Sequence, residues 1–309
     1  MKNQPTSDEK FWAVLSHLAA LAGGVGMLIP AVGWAESRKK SGYAAFQSLQ
    51  ALGYQSLGYT LWTLVYIVIL IVMLLIVPPP MPAPGGSGVA MGNWLAAHVG
   101  VTFGAFGIYL LFPVIGALMC AFGRDFRYPV LGDRLARFIG YDPNAADAAL
   151  DEGHEERFAA SMGHFCVIFP LTGMLVPLAL WAVQGKRSAF MKFQSLQTVV
   201  FQALAALVAL ILAALAVVVM AVALLLLFSA PNPGQPSIEG LFGAFLSLIC
   251  LAVILLIVPL FQIIGQWAGL RILQGHDYRY PLIGRWVENW LVKSESVGSL
   301  EKAGEHTSA

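Results

Sequence analysis

Four apolar runs, Gln55 to Val77, Trp94 to Phe122, Val199 to Phe228 and Leu241 to Leu273, constrain this chain more than any other feature. Each exceeds the roughly 20 residues that carry a helix across about 30 Å of hydrocarbon. Lipid offers no partner to a backbone N–H or C=O, so only helices and closed barrels cross it, and these runs lack the alternation of barrel strands. Composition agrees: 58% of the residues are hydrophobic and 11% charged, against about 25% charged in a soluble domain. Such a chain cannot clothe a water-soluble surface, and it is too apolar for disorder. The expected class is an all-α integral membrane protein.

Two further apolar stretches are broken in the middle. Phe11 to Ala35 is interrupted by Gly23-Gly24-Val25-Gly26 and Pro30, and Phe158 to Val183 by Pro170, Gly173 and Pro177. Each reads either as one kinked span or as a re-entrant helical hairpin.

The whole pattern occurs twice. At a shift of 147, Glu9, Phe11, His17, Pro30, Trp34, Lys39 and Ser41 fall on Glu156, Phe158, His164, Pro177, Trp181, Lys186 and Ser188, and the pentapeptide FQSLQ at Phe46–Gln50 recurs letter for letter at Phe193–Gln197. Later the shift is 152, matching Gly123, Asp125, Arg127, Tyr128, Pro129 and Gly132 to Gly275, Asp277, Arg279, Tyr280, Pro281 and Gly284. The chain therefore divides into a first membrane unit (1–140), an acidic linker (141–155), a second membrane unit (156–293) and a polar, disordered tail (294–309). Because the N-terminal apolar stretch has an internal copy, it reads as part of the fold and not as a cleaved signal peptide.

Charge placement sets the expected topology. With six full spans, the 18 Lys and Arg divide almost evenly between the two sides. With four spans and two re-entrant hairpins, all 18 fall on one face, and the opposite loops, Pro78–Asn93 and Ser229–Ser237, hold no charge. The positive-inside rule favours the second arrangement: a multi-pass protein of the bacterial inner membrane, both termini cytoplasmic, its two units parallel and related by a pseudo-twofold axis along the membrane normal. Six transmembrane helices remain the alternative.

After the last long helix of each unit, Leu131, Leu135, Phe138 and Ile139, and in the second copy Ile283, Val287, Trp290 and Leu291, recur at i, i+4, i+7 and i+8 beside charged residues. These segments read as amphipathic helices in the cytoplasmic interface, with Tyr128, Tyr280, Trp286 and Trp290 at aromatic-belt depth.

Polar groups inside membrane segments are the candidate site. His17 and His164 occupy equivalent positions and could relay protons or fix helix packing. Gln47, Gln50 and Gln55, with Tyr54, form one amide-rich helix face, and Gln194, Gln197 and Gln202 repeat it; such a face either lines a hydrated vestibule or joins helix to helix. Asp125, Arg127 and Pro129, with Asp277, Arg279 and Pro281, form an interfacial motif read as a turn whose Asp and Arg pair. Cys120, Cys166 and Cys250 lie in apolar runs without metal spacing, and His154-Glu155-Glu156 is too short and exposed a cluster to argue for metal. No nucleophile with a base, carboxylate pair or phosphate loop is present, so no enzyme activity, cofactor or metal is expected. A net charge of +1 gives no field for nucleic acid. The expected partners are the lipid bilayer and a membrane protein or a second copy of the chain.

The heptapeptide FQSLQAL at Phe46–Leu52, the pattern G-x-D-[FY]-R-Y-P-[VL]-[LI]-G at Gly123–Gly132 and Gly275–Gly284, and the E-[KR]-F…H starts at Glu9 and Glu156 together resemble the twenty-kilodalton class of the chloroplast inner-envelope Tic import complex and its bacterial relatives of unknown function. Where that family often carries His after the Phe, Gln47 and Gln194 stand here. The resemblance implies a compact four-segment membrane domain per unit. The resulting expectation is a non-enzymatic transport or translocation-like component, the alternative being a scaffold or assembly factor that recruits a partner complex. A hydrated path along the glutamines supports the first, a dry interior the second.

Overall fold

A computed structural model describes residues 4–80, 88–145, 149–169, 171–228 and 238–294; the crossing loops, Pro170 and the tail beyond 294 lie outside the described residues. Helix α1 (Ser7–Leu18) starts at Thr6, whose hydroxyl accepts from the Glu9 N–H while Thr6 N–H donates back to the Glu9 carboxylate, so two of the orphan donors at the helix start are satisfied. The helix gives way to a tight turn over Ala19–Met27, with Gly23 at φ 63°, before α2 (Leu28–Ser37). Length and apolarity alone would make Ser7–Ser37 one of five spanning candidates, but it is no straight rod. A Cβ on Gly33 would lie 3.1 Å from Ser16 Oγ, whereas 17 residues of continuous helix would separate them by about 25 Å. The segment is a hairpin.

Its copy, α6 (Glu152–Phe165) and α7 (Leu175–Gln184), folds back too: a Cβ on Gly163 would touch Pro177 at 3.4 Å. Helix α6 begins within the stretch read as linker, capped by Asp151, and Tyr141 and Leu150 of that stretch are buried.

The long helices outrun their apolar runs. Helix α3 (Gly42–Leu75) has 34 residues and α8 (Ala189–Phe228) 40, about 50 and 60 Å at 1.5 Å per residue. The first half of α3, through Ser56, is almost wholly buried, while Leu61 to Val77 is largely exposed. The FQSLQ ends of α3 and α8 thus lie in a packed body, and their far halves, with α4 (Val89–Ala121) and α9 (Ile238–Leu273), present apolar side chains outward as lipid requires.

Helix α5 (Leu131–Ile139) and its copy α10 (283–294) follow α4 and α9. The interfacial reading needs correction for α5. Leu135 and Ile139 are fully buried within the core shared by both units, because the second unit's α6 lies where lipid headgroups were expected. On α10, Val287 is buried but Trp286 and Trp290 are exposed.

The units touch directly, yet not about a twofold axis. Helix α2 packs on α7 and α3 on α6, but the equivalent of the latter, α8 on α1, makes no comparable contact among the described residues. Phe158 is 4% exposed against 56% for its counterpart Phe11. The reason lies in side chains. Gly53 lets the Phe158 ring approach so closely that a Cβ there would stand 2.6 Å from it, and the residue equivalent to Gly53 is Val200. Ser56 and Thr60, which contact Cys166 and Gln266 across the seam, become Ala203 and Leu207. The second unit's copy of this face is dressed for lipid.

Candidate functional site

The repeated motif after α4 is a chain of local conformational demands. Gly123 and Gly275 take φ of 69° and 89° just past the helix ends, a left-handed region open to a residue without Cβ. Six residues on in each copy, Pro129 and Pro281 lead into γ-turns: Leu131 N–H donates to Pro129 C=O at 2.7 Å and Ile283 N–H to Pro281 C=O at 2.8 Å. Between them, Val130 and Leu282 sit at φ 65° and 66°, a strained conformation for residues with bulky side chains. The chain returns toward α1 and α3 in this way, delivering Tyr128 and Tyr280 into the interior.

There the candidate polar residues meet. His17 joins Tyr128 Oη at 2.9 Å through Nδ1 and Gln47 Oε1 at 3.0 Å through Nε2. Gln47 Nε2 donates to Asp125 Oδ1 (3.0 Å) and to the Phe126 carbonyl (3.1 Å). Gln50 donates to Gln47 and to the Phe126 carbonyl, and accepts from Tyr128 N–H. The second unit repeats this: His164 with Tyr280 (2.8 Å) and Gln194 (3.3 Å), Gln194 and Gln197 donating to the Tyr278 carbonyl, and Tyr280 N–H donating to Gln197. Tyr128 and Tyr280 are buried, which corrects their reading as interfacial aromatics; each faces a histidine that the sequence places more than a hundred residues away. Gln55 and Gln202 donate to the carbonyls of Ser16 and Gly163, which need partners because the broken hairpins leave helical bonds unmade there.

Six glutamines and both histidines are therefore buried and bonded to protein. Asp125 also accepts from Tyr141 (3.2 Å) and pairs with Arg127 (3.3 Å). Burial outweighs these partners and holds the Asp125 carboxyl above its ordinary range; burial, with Asp125 next to it, raises the Tyr141 phenol likewise. The Asp–Arg pairing does not recur in the second copy: Asp277 pairs with Arg157 and Arg279 with Glu288, since no second linker tyrosine covers that turn.

The sequence reading missed a buried cluster of charge. Arg38, read only as one of a basic cluster, is buried between the units: its guanidinium meets Glu156 at 3.0 Å, Glu152 at 3.2 Å and Glu155 at 3.4 Å, and donates to Gln184 while lying 4.8 Å from the Trp34 ring centre. Glu155, expected to be exposed, is buried, and desolvation pushes its carboxyl up to about 7 despite Arg38. The signal was in the repeat: Arg38 aligns with Gly185, and a charge present in only one copy serves the contact between copies.

Chemically the arrangement is a set of hydrogen-bond circuits among buried side chains, closed around Gln47, Gln50, Gln194 and Gln197, while the Oε1 atoms of Gln55 and Gln202 are buried without a partner among the described residues. Among the described residues, no group of three or more His, Cys, Asp or Glu could hold a metal ion. Cys120 and Cys166 are buried free thiols, Cys250 a partly exposed one.

Residues 8–136 and 155–287 each match the family model described as the magnetosome magnetite crystal formation protein family, so the chain carries two tandem copies of one unit. No curated protein and no solved structure matches the chain.

Proposed function

Because the chain belongs to the magnetosome magnetite crystal formation protein family, we propose that it acts in the membrane around a magnetite-forming compartment as a non-enzymatic scaffold. In this reading the two units form a rigid platform on which other membrane components assemble, and the exposed Trp286 and Trp290 of α10 belong to its accessible side. The observation that carries the reading is the state of the glutamines. Gln47, Gln50, Gln194 and Gln197 are 0–1% exposed and bonded to histidines, to one another and to backbone carbonyls. A transport or translocation pathway needs such amides turned toward water, so the arrangement favours the scaffold over the transporter. The motif resemblance to the Tic class then reflects a shared way of building a membrane unit. We further read both termini as cytoplasmic, on the strength of the uncharged opposite loops.

The test is the double substitution Gln50→Leu with Gln197→Leu. Each glutamine makes three bonds, two of which hold a turn onto its helix and one of which goes to the glutamine a turn earlier, and at about 1 kcal/mol or less per bond in a membrane protein the pair should cost several kcal/mol. The expected result is earlier melting in detergent and poor accumulation, with any crystal phenotype tracking the loss of protein. Unchanged melting and abundance, with the phenotype lost, would point to a wet pathway at these positions and overturn the scaffold reading.

A further inference from the structure

On the outside of the seam between the units runs a groove of about 560 Å³. One wall is the first unit's Tyr54, Leu57 and Leu61 on α3, with Leu131 and Arg134 of α5 at its polar end; the other wall is Phe158 and Leu273 of the second unit. From Tyr54 to Leu61 the groove follows α3 for about 10 Å, from the buried end of the helix into the stretch whose side chains are exposed as lipid contact. Its lining is mostly apolar, and its cation stands at the end where the apolar span of α4 has given way to the polar turn. Arg127 is held by Asp125 and Asp133, whereas Arg134 and Arg137, both exposed, have no carboxylate partner among the described residues.

The repeat supplies an internal comparison. At the position of Arg134 the second unit has Trp286, exposed. The groove with its cation thus lies where the two copies meet, and the equivalent position in the second unit carries an aromatic ring in place of the charge. We infer that it holds one anionic phospholipid, an acyl chain lying along Leu57 and Leu61 against Phe158, and the phosphate paired with the Arg134 guanidinium, a group whose planar fork matches phosphate oxygens. The unpaired cation at the rim selects against a zwitterionic headgroup, whose ammonium would face Arg134. Bound there, the lipid bridges the units and stabilises their junction. The inference rests on the membrane setting of the chain and is independent of the scaffold reading.

The experiment uses the full chain, purified in mild detergent, stripped of lipid and offered phosphatidylglycerol or phosphatidylcholine separately. Native mass spectrometry should find one phosphatidylglycerol retained per chain, with phosphatidylcholine retained about tenfold less. Phosphatidylglycerol should also raise the melting temperature of the wild type. Arg134→Gln, a change at an exposed side chain, should weaken retention about tenfold and abolish the thermal shift, and Leu57→Trp should block the groove. Equal retention of the two lipids, or an Arg134→Gln protein that keeps both the bound phosphatidylglycerol and the thermal shift, overturns the proposal; so does a folded Leu57→Trp protein that binds like wild type.

Discussion

Replacing Arg38 by methionine removes the charge that joins the two units while keeping a flexible apolar stem of similar reach. The magnitude follows from what is left behind. Glu152 is 59% exposed at its side chain, so its share of the pairing is worth little. Glu155 and Glu156 are 2% and 13% exposed, and breaking a buried pair by deleting one partner costs about 3–5 kcal/mol. Glu155 has an outlet, because it can take a proton. Its carboxyl already stands at about 7 in the folded protein, above its unfolded range near 4.3. The folded state therefore binds a proton more readily than the unfolded chain, so this group favours folding below its unfolded pKa and loses that contribution as pH rises through about 7.

Without Arg38 the upward push is stronger. Arg38→Met should consequently cost about 3 kcal/mol at pH 8 and about half that at pH 6, where Glu155 is neutral. For a chain of this size that amounts to a fall in melting temperature of roughly 5 °C at pH 8. The assay is thermal unfolding in detergent at both pH values, for wild type, Arg38→Met, Glu155→Gln and the double variant. Glu155→Gln alone should flatten the dependence of stability on pH between about 4.5 and 7. Adding Glu155→Gln to Arg38→Met should recover at least half the loss at pH 8, since the stranded charge is gone. A single variant that melts with wild type at pH 8, or a double variant no better than the single, refutes the reasoning.

Two further outcomes follow from the geometry. Val130→Gly with Leu282→Gly should relieve the positive-φ strain of the two γ-turns, worth about 1–3 kcal/mol each less about 1 kcal/mol for the freedom glycine adds to the unfolded chain; a raised melting temperature is expected, and a lowered one would show that the exposed Val130 and Leu282 side chains contribute more than the strain costs. In sealed vesicles with the cytoplasmic face outward, a cysteine-free protein carrying Ser299→Cys should label with an impermeant maleimide, and one carrying Ser87→Cys only after permeabilisation; the reverse pattern would invert the topology.

Much of this architecture was open to reading in the linear chain, for reasons that are local or periodic. Apolar runs longer than a bilayer is thick admit one solution in lipid, the internal copy exposes the duplication, and glycines and prolines in the middle of an apolar stretch leave a straight span unable to form without loss of backbone bonds. The amide face of α3 was legible because Gln47, Gln50 and Tyr54 recur at helical spacing. What those amides face was not. A glutamine has the same composition whether it meets water or a histidine, and only the return of the chain through the Pro129 turn, more than seventy residues after Gln50, brings the Phe126 carbonyl and Tyr128 against it.

The relation between the units likewise belongs to the tertiary structure. Two copies of one sequence pattern suggest a symmetric pair, because symmetry satisfies every equivalent surface at once. Symmetry fails here at a few positions where the copies differ: Gly53 against Val200, Ser56 against Ala203, Arg38 against Gly185. A phenyl ring can close on the glycine and not on the valine, and the glutamates of α6 can bury an arginine only where one exists. The repeat determined how each unit is built; these side chains, acting across a seam that no local pattern reveals, decided how the two units meet, which surfaces stay in lipid, and where a charge had to be buried.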